Sequence, residues 1–206
     1  MLFSSRLQHP FHAPKSVHRL DGLVSGTLLL GTSVPGTRQL AKQFRRRSIA
    51  KRYVAILSQL PGQFSVLEKQ DEGLVETEGR STAWQVHTRM MINTTPVYVV
   101  RFEPREGKNH QLRLHAAHEL NAPIMFDRRY PLAPDGLKPL SMTQPRADLV
   151  KQAPQDGIAL HCASMTFRFG LQETHVACEP PSLGIWQHFS KMYGINWTQV
   201  AHMDSI

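Results

Sequence analysis

Cysteine is scarce in this chain. Cys162 and Cys178 are the only two among 206 residues, too few for a disulfide framework and suited to a reducing compartment. Long apolar runs are missing as well: none approaches the roughly 18 residues of a spanning helix, so no membrane partner is expected. No internal repeat or low-complexity tract interrupts the chain, and its length suits one domain with a substantial core. The most pointed shortage is of acid. Among the first 67 residues Asp21 is the only Asp or Glu, against ten Lys or Arg. Over the whole chain 24 Lys and Arg face 16 Asp and Glu, a formal net charge of +8. That balance points to a polyanionic partner, with nucleic acid the first candidate.

The lone acid sits in Val17-His18-Arg19-Leu20-Asp21-Gly22-Leu23-Val24-Ser25-Gly26, followed at once by the apolar run Thr27-Leu28-Leu29-Leu30-Gly31. Glycines at that spacing allow tight turning and close approach of another backbone. A carboxylate in a loop feeding a core strand is held by a rigid element, where chemistry is commonly carried. It could equally be a turn or helix cap. Downstream, Arg38 to Arg52 hold seven Lys or Arg and no acid. A solvated helix face is the plainer reading of charge, but repulsion within a single-sign stripe favours a phosphate-binding face built on Arg45, Arg46, Arg47, Lys51 and Arg52.

Hydrophobic spacing predicts a buried strand over Thr27 to Thr32, a helix from Ser33 to Arg47 with Pro35 in its first turn, and a strand over Lys51 to Leu60. Residues 63–80 read as an exposed connection or short hairpin. Thr82 to Thr88 and Pro96 to Phe102 read as antiparallel strands joined through Met90 to Thr95. A helix over Asn109 to Leu120, capped by Asn109, is followed by a long surface loop over Pro131 to Gly157. Ile158 to Phe169 and Glu173 to Cys178 form a closing strand pair, and Ser182 to Tyr193 a short amphipathic helix. Strands and helices mixed without regular alternation indicate an α+β fold with a mainly antiparallel sheet. The expected division is a short basic segment (1–16), one domain (17–195) and a C-terminal tail (196–206).

Five segments resemble, in order, the motifs of the RluA-type RNA pseudouridine synthases: His18-Arg19-Leu20-Asp21 with Ser25-Gly26, Ala50-Lys51-Arg52-Tyr53-Val54-Ala55, Glu106 to His115, Pro123 to Tyr130, and Ala159-Leu160-His161-Cys162. The resemblance implies a pseudouridine synthase catalytic domain, an α+β fold on a mixed, mainly antiparallel sheet. Its chemistry would be isomerisation of a uridine flipped out of structured RNA. Asp21 is then the catalytic carboxylate, acting on C1′ as nucleophile, as charge stabiliser or as base toward a sugar proton. Arg113 falls where the family pairs an arginine with that acid, and Tyr53 where a ring packs against the target uracil with its phenol near C5. Arg19 would fill the gap left by the flipped base, with His18 a neighbour that could equally be structural. Lys108, His110 and Gln111 would meet phosphate at a helix start, and Leu160 would line the apolar side of the pocket.

Three positions depart from the family: Val24 stands for threonine, Lys108 for arginine and Phe126 for glycine. The upstream strand and Asn-Lys-Pro turn usual in the family have no match before Ser16, so a shortened chain is the expectation. The acid-free, basic start favours a mitochondrial location. His110, His115, His118 and His161 lack the spacing of a metal site, and the implied reaction needs neither metal nor cofactor. The expected partner is a ribosomal or transfer RNA stem-loop, bound by a monomer. A fold-retaining, non-catalytic RNA-binding or assembly factor is the alternative. A glycosidase would need a second carboxylate that the first 67 residues do not supply.

Overall fold

A mixed sheet of seven strands and a separate two-stranded sheet make up the strand structure of the described residues. The computed structural model describes residues 13–59, 62–130 and 157–202. In chain order the elements are β1 (Lys15–Ser16), β2 (Ser25–Gly26), β3 (Leu30–Gly31), α1 (Val34–Arg45), β4 (Ala50–Ser58), a 3₁₀ turn (Val66–Glu68), β5 (Glu72–Thr77), β6 (Arg80–Ile92), β7 (Thr95–Pro104), α2 (Gln111–Leu114) running into a π turn (His115–Glu119), β8 (Leu160–Phe169), β9 (Gln172–Ala177), α3 (Gly184–Tyr193) and α4 (Trp197–His202). The seven-stranded sheet runs β2-β8-β4-β7-β6-β5, with β9 also paired to β8. Only the β2–β8 pairing is parallel among its described ladders. The architecture is α+β with a mainly antiparallel sheet, as the sequence implied.

The central strands are apolar on both faces because both faces are covered. Val54, Ala55, Ile56 and Leu57 of β4 are all fully buried, as are Val97, Val99 and Val100 of β7. Leu112, Ala116, Leu120 and Ile124 join the same core, as do Ile185, Trp186 and Phe189 of α3. The chain does not end this core at residue 195. Trp197, Val200 and Ala201 of α4 are buried in it, and the Trp197 indole N–H donates to the Trp186 carbonyl at 3.0 Å. What was expected as a tail is, through His202, a packed helix.

Two other expectations need correcting. Thr27 to Thr32 is not a buried strand: Leu28 and Leu30 are 48% and 45% exposed. Its described partners are too short, since β1 offers two residues to β3 and β8 offers two to β2, so most of the run has no ladder to join. The 109–120 helix begins at Gln111, not behind an Asn109 cap. The residue ahead of it, His110, is left-handed (φ 55°) and makes no side-chain cap. Gln111 itself holds the entry, accepting the Lys108 N–H at 3.2 Å and donating to the Ser81 carbonyl at 3.0 Å. The 63–80 stretch resolves into a Ser65–Glu68 capping box and the β5–β6 hairpin. Of the long connection expected over Pro131 to Gly157, residues 131–156 lie outside the described residues.

Two local irregularities shape the region where β2, β4 and β8 meet. Arg52 pairs with Ser164 while Tyr53 pairs with Cys162, so Ala163 is an unpaired extra residue, a bulge in β8 between those two pairs. A bulge of this kind re-aims the side chains beside it. Gly26 presses β2 against β8: with φ +123°, a Cβ there would lie 2.3 Å from the Cys162 carbonyl oxygen. No other residue fits that contact.

Candidate active site

The Asp21 loop is fixed at three points. The His18 Nε2 accepts the Leu29 N–H at 2.9 Å, and its ring stacks on Phe44 of α1 at 4.5 Å. The Leu23 carbonyl accepts the Ile158 N–H at 2.9 Å. Ser25 Oγ meets the His161 Nδ1 at 2.8 Å, and the far nitrogen of that ring donates to the Cys178 carbonyl at 2.8 Å. Because that carbonyl can only accept, the Ser25 hydroxyl is the donor to Nδ1. Burial lowers the pKa of both His18 and His161, so both rings serve as neutral struts. His18, named as a possible RNA contact, is thus engaged with the protein's own backbone.

Arg113 reaches Asp21 from α2. Its Nη1 lies 3.5 Å from the Asp21 Oδ2. The bidentate grip expected between these two goes to a different acid: Arg113 Nε and Nη2 bond the Asp127 carboxylate at 2.6 and 2.8 Å, with both residues buried. Asp127 also accepts the N–H groups of Arg129 and Tyr130, at 2.9 and 3.3 Å. Burial opposes the charge of Asp127, but the Arg113 hydrogen bonds and these N–H donors outweigh it and hold the carboxyl below its usual range. Hydrogen bonding from Asp127 likewise raises Arg113, against burial. Phe126, standing where the family has glycine, is left-handed (φ 67°), a conformation that costs a side-chain-bearing residue about 1–2 kcal/mol. The turn that presents Asp127 therefore keeps the glycine-like backbone without the glycine.

Tyr53 faces the same space from β4. Burial is the main reason its phenol pKa is raised well above the usual value, with contributions from Cys162 and from the Asp21 charge. The Tyr53 side chain packs against Cys162, whose own thiol pKa burial pushes up to about 12.

These groups share one cleft of about 550 Å³, lined among others by Asp21, Tyr53, Leu160, His110, Gln111 and Arg113. Arg19, Arg45, Arg47, Lys51 and Lys108 rim it. Arg46 and Arg52 do not line it. Arg46 is exposed on the helix end, and Arg52 is held at 2.9 Å by Glu103. Lys51 donates to the Glu106 carbonyl at 2.5 Å, and burial lowers its pKa. Arg47 lies 3.5 Å from the Glu106 carboxylate. Part of the basic stripe is thus tied into the rim, while Arg45, Arg46 and Lys108 are exposed. The Gln111 amide is buried and spent on the Ser81 carbonyl and Lys108 N–H, which makes it a brace for the rim.

The histidines diverge. His115 is buried with Nε2 3.1 Å from the Thr77 hydroxyl, whereas His118 is exposed. Among the described residues no three His, Cys, Asp or Glu converge as a metal site requires. Asp127 and Tyr130 received no role from the sequence, although they lie in a motif it singled out. The available signal was that motif's acid, which the fold sets beside Arg113.

A family profile described as RNA pseudouridylate synthase matches residues 4–118. The tRNA pseudouridine synthase C of Salmonella typhi is 32% identical over 142 residues, covering 60% of this chain and 53% of that protein. The dual-specificity RNA pseudouridine synthase RluA of Yersinia pestis is 31% identical over 145 residues, covering 61% and 65%. The chain thus spans between about half and two thirds of these curated relatives. The solved structure of human RNA pseudouridylate synthase domain containing 4 superposes with a TM-score of 0.64 at 20% identity, covering 86% of this chain and 75% of that one. That likeness is one of fold.

Proposed function

This chain belongs to the RNA pseudouridylate synthase family, and from that membership we propose that it converts a specific uridine in structured RNA to pseudouridine, with Asp21 as the catalytic carboxylate. The observation that carries the reading is the meeting of Asp21, Tyr53 and Arg113, from three separate segments, in one cleft. The reaction breaks N1–C1′, turns the uracil and joins C5 to C1′. C5 gives up its proton and N1 gains one, so the product is an isomer and no electrons are exchanged.

Each residue has a part in this scheme. The nucleotide leaves the RNA stack and enters the cleft, where the Tyr53 ring packs against the uracil and Leu160 closes the apolar side. Arg113, immobilised by Asp127, presents its remaining Nη1 to Asp21 and keeps the carboxylate aimed at the ribose. Burial keeps the Tyr53 phenol protonated before the reaction. It therefore takes the C5 proton only by exchange, passing its own proton to water as the one from C5 arrives, while N1 takes one up from water. Arg19 fills the gap left by the flipped base, while Arg45, Arg46 and Lys108 meet the phosphates of the RNA, which makes binding steeply salt-dependent. Names among the relatives cover transfer RNA and the large ribosomal subunit, and we take a stem-loop of either kind as the substrate.

The test follows from the lost C5 hydrogen. Transfer and ribosomal RNA transcripts carrying tritium at uracil C5 should release it to water when incubated with the protein. Carbodiimide mapping should show a pseudouridine present in cells with the gene and missing without it. No tritium release from any transcript, together with identical maps, would refute the reading.

A further inference from the structure

His110 has a geometry that RNA binding alone does not account for. It is the residue before α2, and its backbone is left-handed (φ 55°), a strained choice for a side-chain-bearing residue and one that clusters at working sites. The imidazole lies between Asp21 and Tyr130. Its Nε2 lies 3.7 Å from the Asp21 Oδ2, the same oxygen that Arg113 Nη1 approaches at 3.5 Å. Its Nδ1 lies 2.7 Å from the Tyr130 hydroxyl. Tyr130 is itself fixed, with its ring edge-on to His110 at 5.5 Å and beneath the Arg113 guanidinium at 5.1 Å.

Resting on the function proposed above, we propose that His110 is a positioning residue for Asp21: it closes onto Oδ2 as an N–H donor and, with Arg113, leaves the other carboxylate oxygen to face the ribose. The Tyr130 hydroxyl selects the tautomer. By donating to Nδ1 it leaves the proton on Nε2, the nitrogen that faces Asp21. The present separation is longer than a hydrogen bond, and such contacts tighten when substrate fills the site. The groups facing the ring are Asp21 from the loop before β2, Arg113 from α2, and Asp127, Arg129 and Tyr130 from the turn after Ile124, with His118 beyond Tyr130.

Protonation would leave the Nε2 donor in place but change the tautomer-setting bond and the charge around it. Burial is the main influence lowering the His110 pKa. Arg113 and Arg129 push the same way, and Asp21 and Asp127 oppose. The ring is therefore neutral at pH 7. As pH falls below the usual histidine value of 6.5, Nδ1 becomes a donor, the Tyr130 hydroxyl must reverse, and a second cation crowds Asp21 beside Arg113. Turnover should fall on this acid side.

The test uses the full chain and whichever tritiated transcript the unaltered protein turns over. His110→Asn should lower kcat about tenfold, leave KM within about twofold and remove the histidine-dependent acid limb of the pH–kcat profile. Tyr130→Phe, which keeps the ring over Arg113, should lower kcat roughly threefold and move that limb. An unchanged kcat, an unchanged limb, or a change confined to KM would overturn the proposal, the last making His110 a simple RNA contact. A second measurement is independent of turnover: nitrogen NMR of the imidazole should show His110 titrating at lower pH in Asp21→Asn, because Asp21 raises it. No movement would overturn the coupling even if no transcript is turned over, an outcome that would count separately against the function itself.

Discussion

Asp127→Asn removes one charge from a buried, doubly bonded pair and leaves the shape of the side chain unchanged. Arg113 then keeps its charge in a site where it is only 4% exposed, with Asp21 at 3.5 Å as its nearest remaining acid. Breaking a buried pair from one side costs about 3–5 kcal/mol. The amide oxygen can still accept one hydrogen bond, so about 3 kcal/mol is expected. In a domain of this size that lowers Tm by roughly 6–12 °C. Turnover should fall by more than stability explains, because the freed guanidinium can swing onto Asp21 and occupy both its oxygens. A double variant, Arg113→Met with Asp127→Leu, separates the two effects: replacing the pair with apolar groups should recover most of the stability and none of the activity. The pH dependence has a fixed sign. Asp127 has a folded pKa below its reference value of 3.8, so the pair's contribution is fully present above that value and is lost as pH falls through the lower, folded one. Thermal melts of the three proteins between pH 3 and 7, with tritium release alongside, make the assay. A Tm for Asp127→Asn within about 2 °C of the unaltered protein, or a double variant no more stable than the single, would refute the assignment of Asp127 as the anchor of Arg113.

The remaining predictions concern the frame and the rim. Gly26→Ala should destabilise the fold by about 3 kcal/mol in denaturant titrations, because a Cβ at φ +123° collides with the Cys162 backbone; a neutral result would mean β2 is not held against β8. Arg45→Glu with Arg46→Glu, both exposed at the C-terminal end of α1, should weaken RNA binding about tenfold near 0.1 M salt and flatten its salt dependence with the circular dichroism unchanged; equal affinity would contradict the proposed phosphate face. Tyr53→Phe should keep RNA affinity within about twofold and lower turnover by roughly a hundredfold, and full turnover would remove the phenol from the proton transfer. His161, whose pKa burial lowers from 6.5, contributes stability that is fully present above 6.5 and lost as pH falls through its folded pKa, so His161→Gln should be flatter than the unaltered protein in a stability–pH series; parallel curves would show that the ring is not a neutral strut.

How far the chain could be read without a structure varies by segment, for physical reasons. The central strands were legible because β4 and β7 are apolar on both faces, and α1 because Ser33, Pro35 and the Leu40 spacing mark a helix at short range. Leu28 and Leu30 look like a strand core in sequence. Their exposure depends on how few residues β1 and β8 offer as partners, which no local pattern encodes. The helix after Asn109 misled for a related reason: Gln111 is bound to Ser81, thirty positions upstream, and that long-range contact sets where the helix starts. Asp21, Tyr53 and Arg113 were visible through motif resemblance, and the structure sets them around one cleft. The partner of Arg113 was not visible. Choosing Asp127 over Asp21 requires knowing that the turn at Phe126 is left-handed and aims the carboxylate inward. Trp197 read as tail because its hydrogen bond to the Trp186 carbonyl is made by packing, not by periodicity.

The proposed reaction depends on the Asp21 carboxylate, and a single substitution isolates its charge. Asp21→Asn retains the side-chain volume and can still accept a hydrogen bond from Arg113, while losing the charged oxygen that would engage C1′. Its tritium release from a C5-labelled transcript should drop to background while affinity for the same transcript stays within a few fold. Turnover retained at an appreciable fraction of the unaltered rate would place the reacting group elsewhere.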